Sequence, residues 1–156
     1  AGPLRGTKHT VFEGGLRVPC LAWWPDTIPA DRRCEEFLTA LDVLPTLARI
    51  CGTELPDSLV LDGQDATQLL CGDASADSQN ERTLHAIYGF GKNRLESFRS
   101  GSWKLHLTQP PQLYDLANDI GEQENLATAM PNRVHKMQEQ LRRWQQEVNA
   151  SLPEQN

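Results

Sequence analysis

Four short runs in the second half of the chain constrain the fold most, because apolar and polar residues alternate in them. The runs are 84–90 (LHAIYGF), 94–100 (RLESFRS), 103–108 (WKLHLT) and 112–116 (QLYDL). Alternation with a period of two, interrupted by Gly-Lys-Asn and Ser-Gly-Ser, is typical of strands joined by tight turns. The pattern predicts a meander of four antiparallel strands. In the third run it also predicts one apolar face and one solvent-exposed face, and Lys104 and His106 lie on the exposed face.

The end of the chain, residues 132–148, is predicted to be a helix. Its apolar residues recur at spacings of three and four, namely Val134, Met137, Leu141, Trp144 and Val148. This narrow stripe is suited to lying across the strands. A coiled-coil partner is the alternative, but the stripe is too short to require one.

A second helix is predicted for residues 37–52, where apolar residues also recur every three or four positions. Two N-caps are open: Asp42 would place Pro45 in the first turn, whereas Thr39 would leave Pro45 to kink the helix. Gly52 suits the position after the helix end. We interpret Asp42 as a cap rather than a catalytic group.

The first 24 residues combine a polar loop with an apolar run. Residues 4–19 carry Lys8, Glu13 and a Gly14-Gly15 pair, which permits positive φ and close backbone approach. The run that follows, residues 16–24, is broken by one proline and ended by another. It predicts a mostly buried strand near a sheet edge.

Composition narrows the class of protein. A chain of 156 residues with 38% hydrophobic content suits one folded domain or two small units that share a core. The net charge of −6 argues against a general nucleic-acid surface. No apolar run approaches the roughly 20 residues that span a bilayer, so no membrane span is expected.

The four cysteines, Cys20, Cys34, Cys51 and Cys71, are widely spaced and have no histidine in ligand register. A zinc site is therefore not expected, while one disulfide stays open.

Four segments of the chain, in order, resemble formylglycine-dependent sulfatases of the arylsulfatase-like, alkaline-phosphatase-type superfamily. Two lie early: Lys8, Thr10, Phe12, Glu13, Gly14, Gly15, Arg17 and Pro19 match one pattern, and Asp42, Pro45, Thr46, Leu47 and Gly52 match the next. Two lie later: Asp62, Gly63, Leu69 and Leu70, and then Leu113, Tyr114, Asp115, Leu116, Asp119, Glu122, Asn125 and Leu126. Ile120 departs from the family's proline. The carboxylates of the last segment are interpreted as turn and cap residues.

The resemblance implies an α/β fold class and two regions. Residues 1–83 would be the trailing edge of the sulfatase catalytic α/β domain. Residues 84–156 would be a C-terminal subdomain, a four-stranded antiparallel sheet packed against the last helix. The boundary is expected in the polar, aperiodic residues 72–83.

The resemblance also implies an activity, hydrolysis of sulfate esters by a sulfuric ester hydrolase. In the family a formylglycine, made from Cys or Ser in a C/S-x-P-x-R motif, attacks sulfur beside a calcium ion. Lys8 would be the active-site lysine that binds the sulfate, and His9, beside it, a substrate-binding candidate. His85, Tyr88 and Arg94 could line the pocket but are interpreted as ordinary strand residues.

The substrate would be a sulfated small molecule or glycan, with no nucleic-acid partner. A periplasmic, extracellular or lysosomal location would fit the family better than a cytoplasmic one.

The remaining parts of that machinery are not found in this sequence. No cysteine or serine has proline two residues on and arginine four residues on. The calcium ligands are expected upstream of this chain. The chain alone is therefore predicted to be inactive. Two alternatives stay open, a non-catalytic binding or scaffolding module and a phosphodiesterase or phosphoryl-transfer relative.

Overall fold

The structure, a computed structural model, describes residues 2–72, 82–89 and 91–147. These residues form two compact units. The first combines residues 2–18 with the residues from 82 onward, and the second contains residues 19–72. The expected boundary at 72–83 lies mostly outside the described residues. The assignment of residues 1–83 to a larger catalytic domain concerns a longer protein and stays a prediction.

The first unit is built on the predicted meander. Its strands are β1 (Thr83–Tyr88), β2 (Leu95–Ser100), β3 (Trp103–His106) and β4 (Gln112–Asp115), hydrogen-bonded in that order and all antiparallel. The register pairs Phe98 with Leu105 and Leu105 with Leu113. These three residues therefore form one apolar row across the sheet, as the alternation predicts.

Helix α4 (Pro131–Glu147) packs on this apolar row. The core comprises six buried residues: Phe98, Leu105, Leu113, Val134, Met137 and Leu141. The predicted helix and its stripe are confirmed over the described residues, and Val148 lies outside them. Among those residues no helix is both long enough and apolar enough to cross a bilayer.

The prediction that the other face of the sheet is exposed to solvent is wrong. Lys104 and His106 are only 1% and 2% exposed. Residues near the chain start cover them, including Val11 and the short helix α1 (Glu13–Leu16). The alternation was interpreted correctly, but it says only which residues share a face. Whether that face meets water depends on a segment distant in sequence.

The second unit contains a 3-10 turn (Ala40–Asp42), helix α2 (Val43–Ile50) and helix α3 (Thr67–Cys71). The helix predicted for residues 37–52 is α-helical only over Val43–Ile50, and Asp42 holds its N-cap position without a side-chain cap hydrogen bond. Thr39 and Asp42 form a capping box around the 3-10 turn, with the Thr39 backbone N–H donating to Asp42 Oδ2 at 2.6 Å. The α-helix starts directly after Asp42, which puts Pro45 in its first turn.

The strand predicted for residues 16–24 is not formed. Leu16 is the last residue of α1, while residues 17–24 have no regular structure and Leu21 is 97% exposed. A strand needs a neighbour to accept its backbone hydrogen bonds. Among the described residues no segment pairs with this run. Cys20, Cys34 and Cys51 are also exposed, and all four cysteines are free.

Candidate functional site

Lys8 lies at the tip of a turn. The Thr10 backbone N–H donates to the Thr7 carbonyl at 3.2 Å, and the Thr10 hydroxyl donates to the same carbonyl at 2.8 Å. Lys8 and His9 are thus the two central residues of a four-residue turn, and both are exposed. His9 has φ 76°, the positive value that a type II turn requires at this position. Within the described part of the chain, no acid pairs with the Lys8 ammonium.

The turn belongs to a longer loop, residues 5–13, which we call the Lys8 loop. Its ends meet, because the Gly14 N–H donates to the Arg5 carbonyl at 2.7 Å. A Cβ on Gly14 would lie 2.6 Å from that carbonyl oxygen, and one on Gly15 would lie 2.4 Å from the Thr10 carbonyl oxygen. Close backbone approach, not positive φ, is therefore what the glycine pair supplies.

Glu122 holds both ends of the Lys8 loop. Its carbonyl accepts a hydrogen bond from Arg5 Nη1 at 2.7 Å, and its Oε2 accepts one from the Glu13 backbone N–H at 2.7 Å. Glu122 is fully buried. The prediction that it serves as an ordinary turn residue is too narrow, although Asp119 does accept the N–H groups of Gln123 and Glu124, as expected.

Strand β3 supplies the Lys104 and His106 side chains that hold this carboxylate. Lys104 Nζ lies 2.7 Å from Glu13 Oε1 and 3.1 Å from Glu122 Oε1, and His106 Nε2 lies 2.8 Å from the same Glu122 oxygen. We call these four residues the charged cluster. All of them are buried. Since an unpaired buried charge is costly, their mutual pairing is what allows the sheet face to be covered.

Charge balance explains the ionisation of both acids. Burial by itself would raise the pKa of Glu13, but hydrogen bonds and charge from Lys104 and Arg17 hold it below its ordinary value. Burial would likewise raise the pKa of Glu122. Hydrogen bonds from His106 and the Glu13 N–H, together with Lys104, lower it instead. Both carboxylates are therefore ionised and act as acceptors only.

Aromatic and cationic side chains complete the covering of this face. Phe12 lies against the His106 ring, with centroids 4.5 Å apart, and the Arg5 guanidinium lies 4.2 Å from the Phe12 centroid. Arg17 Nε and Arg99 Nη1 approach Glu13 Oε2 at 2.5 and 3.5 Å. The Lys8 loop is thus packed through its apolar residues as well as through hydrogen bonds.

The other candidate residues divide into two groups. Tyr88, at the end of β1, stacks on His9 with centroids 5.0 Å apart, so the structure brings it to the Lys8 turn. His85 and Arg94 instead contact Glu96, and the His85 ring meets the edge of Trp144 on α4. His85 is a residue of β1, whereas Arg94 directly precedes β2 and is not in a strand.

The residues of the charged cluster were missed as a group by sequence reasoning. A signal was present, since Arg99, Lys104 and His106 have the alternation that places them on one face of neighbouring strands. Cations concentrated on one face indicate acidic partners when that face is covered. Glu13 and Glu122 also lie in two of the segments that carry the family resemblance.

A calcium ion does not fit the residues that the structure describes. Over residues 2–72, 82–89 and 91–147 no group of three or more His, Cys, Asp or Glu side chains could hold a metal ion. The carboxylates next to the Lys8 loop are already paired with Lys104 and His106. Arranged in this way, the site can neutralise an anion at Lys8, but it supplies neither a nucleophile nor a metal.

Comparison with known proteins shows the family of this chain. Residues 7–149 match the family described as N-sulphoglucosamine sulphohydrolase, C-terminal. The chain belongs to this sulfatase family. Mouse (Mus musculus) steryl-sulfatase is 34% identical over 155 residues, covering 80% of this chain and 24% of the relative. Bovine (Bos taurus) arylsulfatase A is 35% identical over 150 residues, covering 81% and 29%.

The solved structures place this sulfatase domain in the same fold. Ps i-CgsB, solved in complex with k-i-k-neocarrahexaose, is 27% identical with a TM-score of 0.81, covering 92% of this chain and 32% of that one. The chain thus spans about a quarter to a third of the proteins it matches. The mixed α/β fold with a four-stranded antiparallel sheet and a C-terminal helix is confirmed as that of a sulfatase domain.

Proposed function

We propose that this sulfatase domain supplies the sulfate-binding lysine of an enzyme that hydrolyses sulfate esters. The observation that carries the proposal is the position of Lys8, an exposed ammonium at the tip of a turn whose flanks are both fixed. An ammonium is a compact cation with three donors, which suits a tetrahedral oxyanion. Fixed donors stabilise developing charge more than mobile ones do, because no reorganisation is needed during the reaction.

The chain's own contribution is binding, not bond cleavage. Hydrolysis of a sulfate ester also needs a nucleophile and proton transfer. No residue of this sequence has the C/S-x-P-x-R setting of a formylglycine precursor. We therefore assign the formylglycine and the calcium ligands to a part of the enzyme outside this sequence, and we expect the 156-residue chain alone to be inactive.

His9 is proposed as a second substrate contact. Its ring is exposed, adjoins Lys8 and rests on Tyr88. An exposed aromatic ring of this kind suits the organic part of a sulfate ester, such as an aryl group or a sugar ring. The names of the relatives, steryl-sulfatase and arylsulfatase, and the hexaose bound to Ps i-CgsB support small-molecule or glycan esters as the substrate class.

The test uses the longest reading frame that contains this chain, assayed with an aryl sulfate. Lys8→Ala is expected to lower kcat/KM by about 10²–10³-fold, the effect of removing one donor to an oxyanion. Lys136→Ala, an exposed lysine on α4, is the matched control and should change little. His9→Gly, which keeps the positive φ of the turn, should raise KM.

Other outcomes would replace the proposal. Equal kcat/KM for Lys8→Ala and wild type would reject the role of Lys8. Turnover by the 156-residue chain would reject the assignment of the nucleophile elsewhere. Hydrolysis of a phosphodiester without any sulfatase activity would favour the phosphoryl-transfer relative, and no turnover of either ester would favour a non-catalytic module.

A further inference from the structure

We infer that Glu122 and Lys104 are positioning residues that hold the Lys8 loop in the shape that presents its ammonium. The inference rests on the proposed function of Lys8. Neither residue touches the turn at Lys8 itself. Their effect is exerted through the two ends of the loop.

The loop's internal hydrogen bonds fix its shape but not its place. They close the turn from Thr7 to Thr10 and join Gly14 to Arg5. Both sets of bonds would survive if the loop moved as one body over the sheet. Contacts that tie it to the rest of the unit must come from outside residues 5–14.

Glu122 provides that tie at both ends of the loop at once. Its carbonyl accepts a hydrogen bond from Arg5 Nη1 and its side chain accepts one from the Glu13 N–H, each at 2.7 Å. A single buried residue therefore fixes both the start and the end of the loop to the rest of the unit. Rotation of the Glu122 side chain would release one end and leave the Glu13 N–H without its acceptor.

Lys104 and His106 prevent that rotation from a rigid strand. Glu122 Oε1 lies within 3.1 Å of Lys104 Nζ and within 2.8 Å of His106 Nε2. Lys104 also reaches Glu13 Oε1 at 2.7 Å, which links the loop's own acid to β3. Strands hold side chains more firmly than loops do, so the sheet determines the position of Lys8.

The geometry matters for chemistry because a displacement of about 1 Å can cost about 10²-fold in rate. Glu122→Gln tests this directly. Glutamine has the same size, but its NH₂ group is a donor and would face either the Glu13 N–H at the Oε2 position or the Lys104 ammonium, together with His106, at the Oε1 position. The variant therefore loosens the tie without emptying the site.

The matched control is Glu96→Gln. Glu96 is also a carboxylate of this sheet with a lowered pKa, because hydrogen bonds and charge from His85 and Arg94 outweigh its burial. It contacts His85, which lies against α4 and not against the Lys8 loop. Any loss that comes only from removing a paired carboxylate should appear in both variants.

Two readouts separate positioning from general stability. In the 156-residue chain, amide exchange at Glu13, whose N–H donates to the Glu122 side chain, should become about tenfold faster or more in Glu122→Gln. The amides of Phe98 and Leu105 should exchange at the same rates in Glu122→Gln as in Glu96→Gln. In the longer reading frame, kcat/KM for an aryl sulfate should fall for Glu122→Gln, measured where both variants are fully folded, and stay near wild type for Glu96→Gln.

Each result gives a decision. Unchanged exchange at Glu13 would overturn the inference, and so would faster exchange with unchanged kcat/KM while Lys8→Ala still impairs the enzyme. Should Lys8→Ala leave kcat/KM unchanged, the proposed function fails. The exchange rates alone then decide whether Glu122 holds the loop.

Discussion

Both faces of the four-stranded sheet are covered at β3, but by different chemistry. On one face Leu105 and its neighbours pack against α4 with apolar side chains. On the other face Lys104 and His106 meet Glu13 and Glu122 beneath the Lys8 loop. Adjacent residues of one strand, Lys104 and Leu105, thus serve opposite faces and are 1% and 0% exposed.

The difference between the faces is one of direction: charged hydrogen bonds fix the position of a neighbouring segment, and apolar contacts do not. Apolar burial is non-directional and tolerates changes that keep volume, so the α4 face stabilises the unit without requiring one fixed arrangement. Charged hydrogen bonds are directional, and a missing partner leaves an uncompensated buried group. Both faces therefore stabilise the folded sheet, but only the charged face is suited to hold a loop in one place.

The substitution with the largest expected effect on the charged face is Lys104→Met. Methionine keeps most of the volume but leaves Glu13 and Glu122 facing each other without their shared cation. We expect the free energy of unfolding to fall by about 3–5 kcal/mol, the cost of removing one partner from a buried ion pair. Urea denaturation measures it, with the exposed Lys136→Met as the control.

A triple variant sharpens the same test. In Glu13→Gln/Lys104→Met/Glu122→Gln both acids lose their charge together with the lysine, so part of the lost stability should return. The comparison would be wrong if Lys104→Met cost no more than Lys136→Met. Leu105→Ala, on the apolar face, should cost about 2–5 kcal/mol with no partner able to restore it.

A second prediction uses pH to separate the faces. The pKa values of Glu13 and Glu122 are lowered in the folded protein from the ordinary value of 4.5. Their stabilisation is present above that value and is lost as pH falls through the lower folded pKa. Unfolding free energy measured between pH 6 and pH 3 should therefore fall on the acid side of about 4.5.

The size of this acid loss should depend on which face is altered. Glu122→Gln removes one of the two titrating groups, so its stability should fall less steeply with acid than that of wild type. Leu105→Ala should show the wild-type slope, because it removes no charge. Parallel slopes for wild type and Glu122→Gln would show that the charged cluster does not govern acid stability.

The smallest effect on stability is expected at the tip of the loop. Lys8 is exposed and sits above the charged cluster without joining it. Lys8→Ala should therefore change the free energy of unfolding by no more than about 0.5 kcal/mol. Thermal and urea melts would check this, and a large loss would mean that Lys8 is a structural residue and not a presented one.

Much of the fold could be predicted from local pattern. Period-two alternation marked the strands, and the stripe from Val134 to Leu141 marked α4 and the side on which it packs. The run at 16–24 failed because its apolar content was interpreted as burial. Its exposure follows from the lack of a pairing strand among the described residues, which no local pattern reports.

The candidate site divides in the same way. The sequence by itself determined the family, the position of Lys8 in its motif and the need for glycine at Gly14 and Gly15. Only the tertiary structure decided that Lys104 and Glu122 are buried and tie the Lys8 loop to the sheet. The physical reason is that burial and ion pairing depend on which segment covers a face, and here the partners lie about a hundred residues apart in sequence.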